Sequence, residues 1–220
     1  MNPLDLLERA GATGQDAIAH ARHIRILGDP VLRNRARTVE TFDTELHQLT
    51  LSMARVLMSA GGVGLAAPQV GRCSRAVIYR MADHEGQPLM ALINPSWQPL
   101  SDETDTAVEG CLSIPGLQLP VSRHTSIHVE ARSAAGNVIS FDTHGLEARI
   151  IQHEIDHLDG VLILDRVAAR DRYEALLRFG ELAPPAHSPA LSDSVGAPGA
   201  SSRPDLAEQM RRLREASQDH

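Results

Sequence analysis

A chain of 220 residues has room for one domain with a proper core and some extra length; with 42% apolar but only 3% aromatic residues, Leu, Ile, Val, Ala and Met must fill the interior. A formal charge of −7 leaves no broad basic footprint for nucleic acid, and no run of about 18 apolar residues offers a membrane span. Asp5, Glu8 and Asp16 in an N-terminal stretch without a long apolar core argue against a secretory signal or an acid-poor transit peptide. Two cysteines, Cys73 and Cys111, are too few for a disulfide framework, so the expectation is a cytoplasmic protein in which a cysteine is buried, catalytic or a ligand.

Residues 1–22 read as an extension, with a short amphipathic helix in PLDLLERA. HIRILGDPVLR pairs a short apolar strand with a Gly-Asp-Pro turn. From Thr44 to Ala60, Leu46, Leu49, Met53, Val56 and Leu57 recur at helical spacing, and Gly61-Gly62 ends the helix. RAVIYRM (75–81) and MALINPSW (90–97) read as strands separated by the turn-like ADHEGQP. In TSIHVEARSAAGNVISFDTHG, Ile127, Val129 and Ala131 alternate with polar residues before Ala135-Gly136-Asn137 turns the chain, a hairpin pattern. A second helix runs from about Leu146 to Leu158 and closes at Asp159-Gly160; RDRYEALLRF gives a short third one.

After Phe179 the composition turns to Pro, Ser, Gly and Ala without apolar periodicity, the mark of a disordered linker. The organisation is thus an extension over 1–22, a globular domain over 23–180 and a tail over 181–220 that ends in the marginal helix DLAEQMRRLREA. The fold class is α+β: antiparallel sheets and hairpins around a central metal-binding helix.

That helix carries QHEIDHLDG. Positions i and i+4 stack one turn apart, so His153 and His157 can offer imidazoles to one ion. Leu146 and Ile150 continue the stripe, which puts the ligands at the end of a buried apolar face. Glu154, one position beyond the first histidine, is near the ion but off the ligand line, as a general base acting on water must be. The competing reading is an amphipathic helix whose histidines merely fill an interface.

Two imidazoles do not complete a catalytic site, and the third ligand narrows the class. A metzincin pattern fails because position 163 is Ile163, and neither Glu174 nor Glu181 sits in a thermolysin-like motif. The remaining candidate is Cys111 in VEGCLSIPG, between segments that look extended; a thiolate with two imidazoles leaves a fourth position open. Its plainer reading is a small buried hydrophobe, the role assigned here to Cys73. In GGVGLAAPQVG (61–71) the glycines allow close backbone approach and Pro68-Gln69 holds a carboxamide on a fixed backbone. With no lysine and no G-x-G-x-x-G, that loop is not a phosphate cradle.

GVGLAAPQVG, EGCLS and QHEIDHLDG, in this order and spacing, resemble the three signature motifs of the peptide deformylases, over about residues 24–175. The resemblance implies removal of the formyl group from N-terminal formyl-methionine of newly made proteins. It implies Cys111, His153 and His157 as ligands of one divalent ion, Fe²⁺ foremost, with Zn²⁺, Ni²⁺ or Co²⁺ compatible. It further implies Glu154 as general acid/base, Gln69 and the Leu112 N–H as binders of the formyl oxygen, and the Gly64 carbonyl as acceptor of the formamide N–H. Val63, Leu146, Ile150 and Ala107 are candidates for the methionine pocket, and Glu109 resembles a family glutamate that pairs with an arginine, here Arg123. Gly116-Leu117-Gln118 stands where some relatives carry a peptide-gripping arginine, so the resemblance does not imply contact with a peptide carboxylate here.

Two other functions compete: an H-E-x-x-H peptidase cutting internal bonds, and an inert binding protein on the same fold. The expected partners are N-formylmethionyl peptides, with no membrane and no sequence-specific nucleic acid. In the tail, Met210 and Leu213 fall beside Arg211, Arg212 and Arg214, which suggests a helix that docks on the ribosome, against the alternative of a solvated frayed helix.

Overall fold

The computed structural model describes residues 24–80 and 89–182. The expected extension helix, the turn over 82–88 and the terminal helix lie outside these residues. Within them, β1 (Gly64–Ala66), β2 (Ala76–Tyr79), β3 (Met90–Pro99), β6 (Ser126–Arg132) and β7 (Val138–His144) form one antiparallel sheet in the order β1-β2-β3-β6-β7. The strands β4 (Thr104–Cys111) and β5 (Ile114–His124) pair separately.

Alternation along β2 divides the interior in two. Ala76 and Ile78 meet Met53, Val56 and Leu57 of helix α1 (Thr44–Ala60), while Val77 and Tyr79 meet Ile151, Ile155 and Leu158 of helix α2 (Gly145–Leu158). Helix α1 starts at Asp43, whose side chain accepts from the Leu46 N–H at 3.0 Å, a cap typically worth about 1 kcal/mol. The central helix of the sequence reading is α2. A second unit begins at Ala169 with helix α3 (Ala169–Leu182), where Arg170 and Glu174 pair one turn apart at 3.2 Å.

Two expectations need correction. In HIRILGDPVLR, residues 24–27 do not form a strand: the Arg25 N–H donates to the Gln69 carbonyl at 2.7 Å and the Leu27 N–H to that of Ser113 at 2.8 Å, so this backbone bonds to the short 3-10 helix Ala67–Val70 and to the turn between β4 and β5 rather than to a ladder. Cys73 is half-exposed, not a core residue, because it follows the left-handed Gly71 turn in a segment whose backbone bridges to Arg37. The Gly-Asp-Pro turn does form, with Asp29 capping the short 3-10 helix Pro30–Arg33.

The β4–β5 hairpin positions the site. Gly110 pairs with Gln118, yet the next residue, Cys111, pairs with Ile114. Pro115, Gly116 and Leu117 are therefore extruded, with Gly116 at φ 79°, a conformation that suits glycine. Cys111 ends its strand at that bulge.

Candidate metal centre

Helix α2 presents His153 and His157 one turn apart, with ring centroids separated by 5.1 Å. Cys111 reaches them from the end of β4, and one donor atom from each of the three lies within 4.8 Å of the others. Cys111 Sγ is 3.2 Å from His157 Nε2. His157 is 1% exposed; burial drives its imidazole well below the usual histidine range, towards the neutral form that can ligate.

His153 is oriented by a carboxylate. Its Nδ1 lies 2.9 Å from Glu109 Oε2, which leaves Nε2 for a ligand's role, the arrangement usual for metal-binding histidines. Burial opposes protonation of His153, but hydrogen bonds with Cys111 and Glu109 outweigh it and raise the group well above its ordinary value. Burial likewise opposes ionisation of Glu109, yet bonds from His153 and Arg123 and the charge of Arg123 bring it down to about 2. This donor set, one thiol and two imidazoles, one of them held by the Glu109 carboxylate, fits a single Fe²⁺, Zn²⁺, Ni²⁺ or Co²⁺ ion.

The expected Glu109–Arg123 pair is present and is part of something larger. Arg123 Nε and Nη2 donate to the two Glu109 oxygens at 3.0 and 2.9 Å, and its Nη1 bonds Asp156. Asp156 in turn accepts from Arg166, and Arg149 donates to Glu109 Oε1 at 2.8 Å. Sequence reading missed Arg149, Asp156 and Arg166. The available signal was an arginine four residues before His153 on an otherwise apolar helix face.

Gly64, Gln69, Cys111, Leu112, His153 and Glu154 all line one cavity of about 570 Å³, whereas the buried His157 does not. Glu154 is 4% exposed, and its Oε2 has no hydrogen-bond partner among the described residues. An unsatisfied buried carboxylate is rare enough to need a functional reason. Burial pushes it up to about 7 against the opposing charges of His153 and Arg123. Gly64 accommodates it: a Cβ there would sit 2.3 Å from Glu154 Oε1. Gln69 Oε1 accepts from its own loop at the Ala66 N–H (2.8 Å), while Nε2 faces Ser113 Oγ at 3.2 Å and Cys111 Sγ at 3.8 Å.

Of the proposed pocket residues, Val63, Leu146 and Ile150 line this cavity. Ala107 does not; its neighbour Val108 does, and successive side chains of β4 point to opposite faces. Leu146 is 47% exposed, so the apolar stripe of α2 opens to solvent at the cavity instead of staying buried along its length.

The sequence profile of the polypeptide deformylases matches residues 21–173. The chain is 43% identical over 155 residues to peptide deformylase 1 of Corynebacterium glutamicum, covering 70% of this chain and 92% of that one. A peptide deformylase of Dictyoglomus thermophilum is 43% identical over 145 residues, 66% of this chain and 92% of the relative. Among solved structures, a peptide deformylase from Synechococcus elongatus in complex with actinonin superposes with a TM-score of 0.68 at 41% identity, over 71% of this chain and 86% of that one. The Thermotoga maritima peptide deformylase gives 0.62 at 41% identity, over 66% and 96%. On this match the chain belongs to the polypeptide deformylase family, and it is a metal-dependent hydrolase that removes the N-formyl group from newly synthesised peptides.

Proposed function

We propose that one divalent ion is held by Cys111, His153 and His157, and that Glu154 carries the proton in the hydrolysis of N-formylmethionyl peptides. The observation that supports this most is the meeting of the three donors within 4.8 Å at a cavity that Glu154 and Gln69 also line. When bound, a divalent ion supplies Lewis acidity that lowers the pKa of water to about 7. Glu154, buried and poised near neutrality, takes the proton of the attacking water and returns it to the leaving amine, so that formate and a free N-terminus depart. Gln69 Nε2 and the Leu112 N–H meet the oxygen as it gains charge; loss of one such donor typically costs about 2.7–4 kcal/mol of barrier. The Gly64 carbonyl, on the edge strand β1, accepts the formamide N–H and sets the substrate's direction. Val63, Leu146 and Ile150 take the methionine side chain.

The ion in this reading is Fe²⁺, on the motif resemblance and on the compatibility of a thiolate and two imidazoles with iron. Its test is protein purified without oxygen and assayed on a formyl-Met tripeptide and on an unformylated peptide. Activity on the first alone, lost in air and restored better by Fe²⁺ or Ni²⁺ than by Zn²⁺, is the expected outcome. Equal zinc and iron forms without oxygen sensitivity would defeat the iron assignment, and cleavage of internal bonds would defeat the substrate assignment.

We also propose that the arginine-bearing segment 205–216 holds the enzyme at the ribosome in the cytoplasm, supported by the spacing of Met210 and Leu213 beside three arginines. Deleting residues 184–220 should weaken co-sedimentation with ribosomes while leaving tripeptide kinetics within about twofold; unchanged co-sedimentation at every salt concentration refutes it.

No helix among the described residues is long and apolar enough to cross a membrane.

A further inference from the structure

Arg149 belongs to two structures at once. It lines the cavity beside Leu146 and Ile150, and it is only 12% exposed. Its guanidinium is committed elsewhere: Nη1 donates to Glu109 Oε1 and to the Val121 carbonyl, both at 2.8 Å, and Nη2 to the Asp105 carbonyl at 2.8 Å. Glu109 is the carboxylate that holds His153 Nδ1 at 2.9 Å. The helix explains the coincidence, because Arg149 and His153 lie one turn apart on one face and both reach the same strand β4.

Glu109 has four donors around its two oxygens. Oε1 takes Arg123 Nε and Arg149 Nη1; Oε2 takes Arg123 Nη2 and His153 Nδ1. Arg123 is bidentate and fixes the carboxylate plane. Arg149 is the second clamp, bonding Oε1, and it ties that oxygen to the backbone of both β4 and β5. We propose that Arg149 is a positioning residue that couples the substrate cavity to the ligand His153: it braces Glu109, which fixes His153 with Nδ1 protonated and Nε2 free to ligate, while forming part of the wall on which the substrate side chain rests. This rests on the reading of His153 as a ligand.

The test separates wall from clamp. Arg149→Met keeps an unbranched apolar side chain in the cavity and removes every donor; Arg149→Lys keeps the charge and restores part of the donation; Arg149→Ala removes both roles. Each variant and the wild type are titrated with Zn²⁺, and in the zinc-loaded, diamagnetic proteins the His153 Nδ1–H resonance is followed by ¹H–¹⁵N spectroscopy. The expected result for Arg149→Met is a Zn²⁺ affinity lower by about 10–100-fold and a shifted or exchange-broadened Nδ1–H, with KM for a formyl-Met tripeptide within about twofold and kcat reduced. Arg149→Lys should recover part of the affinity, and Arg149→Ala should also raise KM.

Wild-type affinity and an unchanged Nδ1–H signal in Arg149→Met would overturn the proposal and leave Arg149 as cavity wall alone. Should that variant not fold, the same two readouts on Arg149→Lys decide it, unchanged values again overturning it. If the wild type shows no Zn²⁺ uptake, or His153→Ala binds it equally well, the ligand reading itself fails and takes the proposal with it, a result distinct from loss in the Arg149 variants only.

Discussion

Replacing Glu154 by Gln in the metal-free protein isolates the effect of burial on this carboxyl. Glu154 is 4% exposed, one oxygen has no partner among the described residues, and burial is the largest influence on its acidity. The distance from its ordinary 4.5 to about 7 corresponds to about 3 kcal/mol, at about 1.4 kcal/mol for each pH unit. Because the folded-state pKa lies above the unfolded one, the stability carried by the protonated form is complete below pH 4.5 and is lost as pH rises through about 7. Glutamine has the shape of the neutral acid and does not titrate. Wild type and Glu154→Gln should therefore unfold at the same urea concentration near the acid end of that window, provided both still fold there. At about pH 8.5 the variant should be more stable by about 3 kcal/mol, read from urea unfolding with a chelator present. A wild type as stable as the variant at the higher pH would mean that neighbouring positive charge, not burial, governs Glu154, and the reasoning fails.

Gly64→Ala should lower kcat by about 100-fold with the metal content unchanged, because its methyl group would lie 2.3 Å from Glu154 Oε1 and must displace the carboxylate proposed to carry the proton; a kcat within about twofold of wild type refutes the close approach. Gln69→Ala should lower kcat by about 100-fold, since one donor to the developing oxygen charge is gone, while KM moves little; an equal loss in KM alone would assign Gln69 to ground-state binding.

The meeting of Cys111, His153 and His157 was legible in two ways: i, i+4 histidines are adjacent on any helix, and Cys111, distant in sequence, was the candidate left once Ile163 and the downstream glutamates were set aside. The network around it was not. Arg149, Glu109, Arg123 and Asp156 come together only through the β4–β5 register and the docking of α2, and no spacing in the sequence encodes that arrangement. Ala107 was misplaced for a related reason, since side chains alternate along a strand and a shift of one residue exchanges the faces. Residues 24–27 have the composition of a strand, but the backbone they meet is a 3-10 helix and a hairpin turn, neither of which offers a ladder. The helices read well because their apolar periodicity and end signals, Asp43 and Gly61 for α1 and Asp159-Gly160 for α2, agree.

The proposed division of metal binding and proton transfer between different residues of one cavity is tested by metal content and formyl-Met tripeptide turnover measured on the same preparation of Glu154→Gln, with Cys111→Ala alongside. Glu154→Gln should retain one equivalent of metal while turnover falls by about 10²–10⁴-fold, and Cys111→Ala should lose both. Turnover above about a tenth of wild type in metal-replete Glu154→Gln, or a full equivalent of metal in dialysed Cys111→Ala, would contradict it.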